Sequence, residues 1–248
     1  FFGGIGRIAS FTEKIVPIMA VLYIVGGLCV LFMNLDMIIP AFKMIFVGAF
    51  NPRAATGGLI GATVKEAVRY GVARGLFSNE AGMGSTPHAH AVAKVRYPAE
   101  QGLAAMIGVF VDTFIVLNMT VFVILATGVL DGQTTGIALT QKAFTSAFGA
   151  FGDTFVAICL FFFAFSTVVG WYYFGEANIR YLFKLKGLTP YRILVMLFIV
   201  LGATLKVELV WELADTFNGL MVIPNLIALL GLAKVVSREL EKFSECEK

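Results

Sequence analysis

The residues best suited to chemistry are gathered in one run, GLFSNEAGMGSTPHAHAVA, at residues 75–93. Its first part, from Gly75 to Pro87, holds three glycines and a proline, which are poor helix material. Among them stand hydrogen-bonding side chains, including Ser78, Asn79 and Glu80. Backbone unwound at membrane depth leaves amides and carbonyls without helical partners, and such groups are tolerated where they bind something. The competing reading is a re-entrant structural turn packed within protein.

Two further places could hold a ligand. Asp112 is the one acid in a long apolar run, and a carboxylate at membrane depth requires a partner. The carboxylate must be paired with a basic residue such as Arg69 or Arg74, bound to a cation, or protonated. Ser166 and Thr167 form an adjacent hydroxyl pair in a Phe-rich run. Hydroxyl and carbonyl oxygens make a hard, oxygen-only site that suits Na⁺. The same hydroxyls can instead bond to the preceding helical turn. His88 and His90 are two apart and face different ways on a helix, so they do not read as metal ligands. Trp171, Tyr172 and Tyr173 read as an aromatic belt or a gate, the tyrosines favouring the belt. Glu176 and Arg180, four apart, are expected to pair. Asn218 and Pro224 are expected to kink their helix.

The elements that must position these groups are membrane helices. Of 248 residues, 58% are hydrophobic and only 14% charged, and mean hydropathy is +0.86. A soluble domain carries nearer ~25% charged residues. Net charge is +3, too small and too dispersed to suggest a nucleic-acid partner, and none is expected. The three cysteines, Cys29, Cys159 and Cys246, have no metal or disulfide spacing, and buried thiols are expected. The fold class predicted is an all-α integral membrane bundle of one transmembrane domain. Its spans fall at about 14–33, 57–95 (broken and partly polar), 101–130, 154–182, 190–206 and 209–234, with a tail at 235–248. Counting from an inside start, twelve Lys and Arg lie inside against four outside, which obeys the positive-inside rule and puts both ends of the chain in the cytoplasm. The connections at 34–56 and 131–153 are long enough to hold short helices over the external face. The chain opens in mid-pattern on Phe1-Phe2-Gly3-Gly4 and closes on a charged tail, so it is expected to be the C-terminal portion of a longer polypeptide.

The run at 75–93, the opening GGIGRIASFTEKIVPIMAVLYI and the span FVDTFIVLNMT resemble the alanine or glycine:cation symporter family, and the likeness covers nearly the whole chain. The resemblance implies the fold of the bacterial leucine transporter, with two inverted five-helix repeats and the first and sixth helices unwound. This chain would then carry the fifth helix and the whole second repeat, and its N-terminal half would be a partner within the same polypeptide.

On that likeness Phe77 gates the substrate, and Ser78 offers oxygen to a cation or to the substrate carboxylate. Asn79, Glu80, Gly82 and Met83 complete the substrate pocket. Asp112 and Thr113 fall where the related fold places a ligand of the sodium beside the substrate. A second sodium would take Ser166, Thr167 and the Phe163 carbonyl.

The function expected is secondary active transport at the plasma membrane, amid lipid. It is the symport of a small neutral amino acid such as alanine or glycine with Na⁺, H⁺ being the other candidate ion. The alternative is a channel or pore subunit without coupling, for which one Gly-rich unwound segment is a poor filter. An enzyme is not expected, since no nucleophile–base pair or metal-ligand set is apparent in the sequence.

Overall fold

The computed structural model describes residues 4–50 and 64–246, and among these all regular structure is helical. Helix α1 spans Gly4–Met33 and leads through a 3₁₀ turn at Leu35–Met37 into α2, Ile38–Phe50. Helix α3 is Val64–Asn79 and α4 is the single turn Pro87–His90. Helix α5, Pro98–Phe110, widens into a π-helical stretch at Val111–Leu117 and resumes as α6, Asn118–Ala126. Helix α7 is Gly136–Phe148 and α8 is Ala150–Phe183. A 3₁₀ turn at Lys184–Gly187, entered through a left-handed Lys184, leads to α9, Leu188–Thr204. The chain closes with α10, Val207–Cys246.

Among the described residues, four stretches are long and apolar enough to cross a membrane: Gly6–Met33, Pro98–Ala126, Ala150–Thr204 and Val207–Cys246. The third has 55 residues and would be about 80 Å long if straight. It is divided by the turn at Lys184–Gly187 into α8 and α9. The broken segment expected at 57–95 is not among the four: its described helix, α3, has 16 residues, and its first residues lie outside the described ones. The connections at 34–56 and 131–153 do hold helices, α2 and α7.

The chain divides into two compact units. The first holds residues 73–110 and 168–248; the second holds 6–72 and 111–167. The hydrophobic core belongs to the second. Tyr23 and Val30 from α1, Val123 from α6, Ala143 and Phe144 from α7, and Phe155, Val156 and Cys159 from α8 pack together there. Small residues let these helices approach: Gly26 leaves the space that the Phe155 ring fills, and Gly27 makes room for Met119. Among the cysteines only Cys159 is buried; Cys29 lies on the exposed side of α1, outside the core. Between α6 and α7, Asp131 orders the connection. Its carboxylate accepts from Lys142 Nζ (2.8 Å), the Thr134 amide (2.7 Å) and hydroxyl (2.7 Å), and the Gln133 amide (3.0 Å).

The first unit buries polar groups rather than a large apolar core. Glu176 on α8 is 3% exposed. It accepts from Tyr172 and from Arg180 (2.8 Å) and pairs with Arg192 of α9 at 3.6 Å, so the expected Glu176–Arg180 pair is present within a wider network. Tyr172, expected in an aromatic belt, is instead buried at 2% exposure, stacked on Tyr191 and hydrogen-bonded by Arg192. An apolar ring with one polar tip serves either place; here a carboxylate and a guanidinium hold the tip.

Gly26→Leu is expected to destabilise the protein by about 1–3 kcal/mol or more, since the new side chain must displace the Phe155 ring. Thermal unfolding in detergent measures this. Lys142, with help from the Thr134 and Gln133 donors, holds the Asp131 carboxyl well below the usual carboxylate range. A depressed acid contributes order above its unfolded pKa of about 3.9 and loses it as pH falls through the folded value. Hydrogen exchange at residues 132–135 is therefore expected to lose protection only in strong acid, and at all pH values in Asp131→Ala.

Candidate functional site

Helix α3 ends on Asn79 because the next residue turns left-handed. Glu80 has φ 51°, and the amides of Glu80 and Ala81 reach back to the carbonyls of Phe77 (3.2 Å) and Leu76 (3.1 Å). This is the hydrogen-bond pattern of a Schellman C-cap, normally completed by glycine. A side chain in that conformation costs about 1–2 kcal/mol. Hydrogen bonds offset the strain: the Glu80 carboxylate accepts from the Ser85 hydroxyl at 2.6 Å and the Thr86 hydroxyl at 2.9 Å. Bonds to a charged acceptor are worth about 1.5–3 kcal/mol each. Gly82 and Gly84 follow in the same left-handed region, at φ 73° and 81°. Helicity resumes at Pro87, a residue suited to a first helical turn.

The break is tied to its surroundings by named contacts within the first unit. Asn225 of α10 donates from Nδ2 to the Gly82 carbonyl at 2.9 Å. The His88 ring bonds the Ser85 carbonyl through Nδ1 (2.8 Å), which makes that nitrogen the proton carrier and leaves Nε2 to accept from Asn178 of α8 (3.0 Å). The Tyr173 hydroxyl donates to the His88 carbonyl at 3.4 Å. His90 meets Gln101 of α5 at 2.7 Å. Both histidines thus act as braces of the turn.

A cavity of about 780 Å³ opens against the break. Asn79, Glu80, Gly82, Thr86, Gln101 and Asn225 are among the residues that line it. Of the residues expected at the substrate, Asn79, Glu80 and Gly82 therefore face this cavity. Phe77, Ser78 and Met83 do not line it. Phe77 packs edge-on against Trp211 of α10, 5.6 Å between centroids, and Met83 is 2% exposed. Ser78 sits in the last turn of α3. Trp211 also carries Arg74 over its face at 4.0 Å, and Arg74 pairs with Asp215 at 2.6 Å. Arg74, one of the bases considered for Asp112, thus has its own carboxylate.

The other expected cation ligands lie in the second unit. Asp112 and Thr113 stand at the start of the π-helical stretch, where Asn118 donates to the carbonyls of Thr113 (2.9 Å) and Phe114 (3.3 Å). Single π turns inside α-helices are frequent at functional sites. Ser166 donates to the Phe163 carbonyl at 3.0 Å and contacts the Met19 sulfur at 3.7 Å, so two of the three atoms expected around a second sodium are in mutual contact. Thr167 is the next residue on α8 and is exposed.

Sequence reasoning did not single out Asn225 or the Ser85 and Thr86 clamp. The signal for Asn225 was available: it is a carboxamide beside Pro224 in an otherwise uncharged apolar run, and polar residues in such runs mark functional places.

Four long apolar helical stretches among the described residues, mostly unburied, fit a multi-pass membrane protein. The sodium:alanine symporter family matches residues 1–248, and the chain belongs to that family. It is 48% identical over 250 residues to the sodium/alanine symporter AgcS of Methanococcus maripaludis, covering 99% of this chain and 54% of that protein. An uncharacterized transporter of Haemophilus influenzae is 44% identical over 243 residues, 97% of this chain and 53% of its own length. The probable sodium/glutamine symporter GlnT of Bacillus subtilis is 44% identical over 249 residues, 100% of this chain and 51% of that protein. The chain therefore spans about half the length of these relatives.

If the Glu80 clamp holds the break, Glu80→Ala is expected to speed amide exchange at residues 81–86 at least tenfold. Glu80→Gln, which keeps an oxygen for both hydroxyls, is expected to stay close to wild type. Hydrogen exchange with mass spectrometry distinguishes them.

Proposed function

We propose that the chain forms part of a secondary active transporter that couples inward movement of a small neutral amino acid to Na⁺, H⁺ being the other candidate ion. Alanine and glycine are the first substrates to try, and the name of the Bacillus subtilis relative adds glutamine. Membership of a symporter family supports this reading, and the break at residues 80–86 carries it. A left-handed Glu80, Gly82 and Gly84 interrupt helix beside a cavity, and irregular backbone is tolerated at membrane depth where it lines one. Asn79, Glu80 and Gly82 would meet the substrate at this wall. Phe77, Ser78 and Met83 would shape it from behind or close it on movement. Asp112 and Thr113, with Ser78, would serve one cation; Ser166, Thr167 and the Phe163 carbonyl would serve another. The fold proposed is that of the leucine transporter, with both ends of this chain cytoplasmic. A further segment of comparable length in the same polypeptide would complete the bundle, since the relatives are about twice as long.

Uptake of labelled alanine and glutamine into proteoliposomes of the full-length polypeptide, with and without a Na⁺ gradient, tests the reading. Gradient-independent flux would favour a pore. Gly82→Leu is expected to abolish amino-acid binding while expression persists, because a branched side chain at φ 73° must alter the wall. Ser166→Ala combined with Thr167→Ala is expected to raise the Na⁺ concentration for half-maximal uptake about tenfold or more. Reduced amino-acid affinity with normal Na⁺ dependence would instead assign those hydroxyls to the substrate.

A further inference from the structure

We propose that Asn225 is a positioning residue for the amino-acid site: it fixes the backbone of Gly82 and Gly84 and so sets the shape of the cavity wall. The inference rests on the transport reading above but is carried by separate geometry. Left-handed residues at 80, 82 and 84 leave this backbone without helical bonding, so its place must be held from outside. From the N-terminal side the Glu80 clamp does this. From α10 the holding group is the Asn225 carboxamide, and it makes two contacts.

Its Nδ2 donates to the Gly82 carbonyl at 2.9 Å. Its Oδ1 and Cγ lie 3.0 Å from where a Gly84 Cβ would stand, so the amide plane rests on bare glycine backbone. One side chain therefore grips the loop at two points two residues apart. The pattern accounts for the residue types. Aspartate would set an acceptor against a carbonyl. Glutamine is longer than the gap over Gly84. Any side chain at 84 would meet the amide as well as the left-handed φ of 81°. Pro224 lacks an N–H, so α10 gives up one of its own bonds immediately before the gripping residue. Gly82, Gly84 and Asn225 all line the same cavity, and displacement of the amide therefore moves the wall. One of its two amide N–H groups is engaged by Gly82, and through that bond Asn225 acts on the loop.

The test compares Asn225→Asp and Asn225→Ala in the full-length polypeptide. Near neutral pH both are expected to raise the alanine concentration for half-maximal uptake about tenfold, the loss of one hydrogen bond, with maximal rate changed less. Near pH 5, Asn225→Asp is expected to recover part of this. A carboxyl held against a carbonyl has its pKa raised, and once protonated it donates to Gly82 as the amide did. Asn225→Ala is expected not to recover. Glu80 and His90 line the same cavity and Asp215 stands on α10; all three are common to both variants, so the ratio between variants removes their titration. Wild-type affinity in either variant, or identical pH behaviour in both, would overturn the proposal. Amide exchange at residues 82–85 gives a readout free of transport. Faster exchange in both variants supports the grip, and unchanged exchange overturns it, even where the wild type takes up neither amino acid and the transport reading itself fails.

Discussion

A backbone that leaves the helix must still satisfy its amides and carbonyls, and this requirement organises the first unit. A buried polar group left unmet costs about 1–3 kcal/mol. Between Asn79 and Pro87 the chain meets the demand in three ways. The Schellman bonds close the end of α3, the Glu80 carboxylate gathers the hydroxyls of Ser85 and Thr86, and Asn225 reaches across from α10 to Gly82. No buried side-chain polar atom among the described residues is left without a partner. The break is thus a built object, which separates it from a frayed helix end.

The surrounding side chains follow from this. His88 and Tyr173 brace the turn against α8, and Gln101 braces His90 from α5. Deeper in α8, Glu176 gathers Tyr172, Arg180 and Arg192. Ionised groups this well buried persist only when every bond is made. The second unit solves a different problem. Its helices are regular enough to satisfy themselves, so glycines and aromatics decide its packing, with Gly26 admitting Phe155 and Phe144 at the centre. One irregularity among them, the π-helical stretch at Val111–Leu117, falls on Asp112 and Thr113.

On the function proposed above, a break positioned from several helices suits a wall that is formed and reformed. A glycine-rich loop held by side chains has discrete places to sit, because each is defined by hydrogen bonds that are either made or lost. Coupling between ion and amino acid requires such alternatives.

Much could be read from the sequence alone. Apolar runs of ~20 residues dictate membrane helices, since only internally bonded backbone crosses lipid. Three glycines and a proline at 75–87 dictate that helix fails there. The expected Glu176–Arg180 pair followed from spacing of four on one helix. What resisted reading depends on which helices meet. Tyr172 was expected at an interface but lies buried, because Arg192 and Tyr191 arrive from α9. Arg74 finds Asp215 rather than Asp112, and Phe77 turns to Trp211, both across 134 or more residues. Asn225 was not singled out, and only the approach of α10 to Gly82 brings its amide to the break. Local periodicity records what a residue needs in its own helix. Which partner supplies it is decided by packing between segments distant in the chain, and no spacing within one segment encodes that.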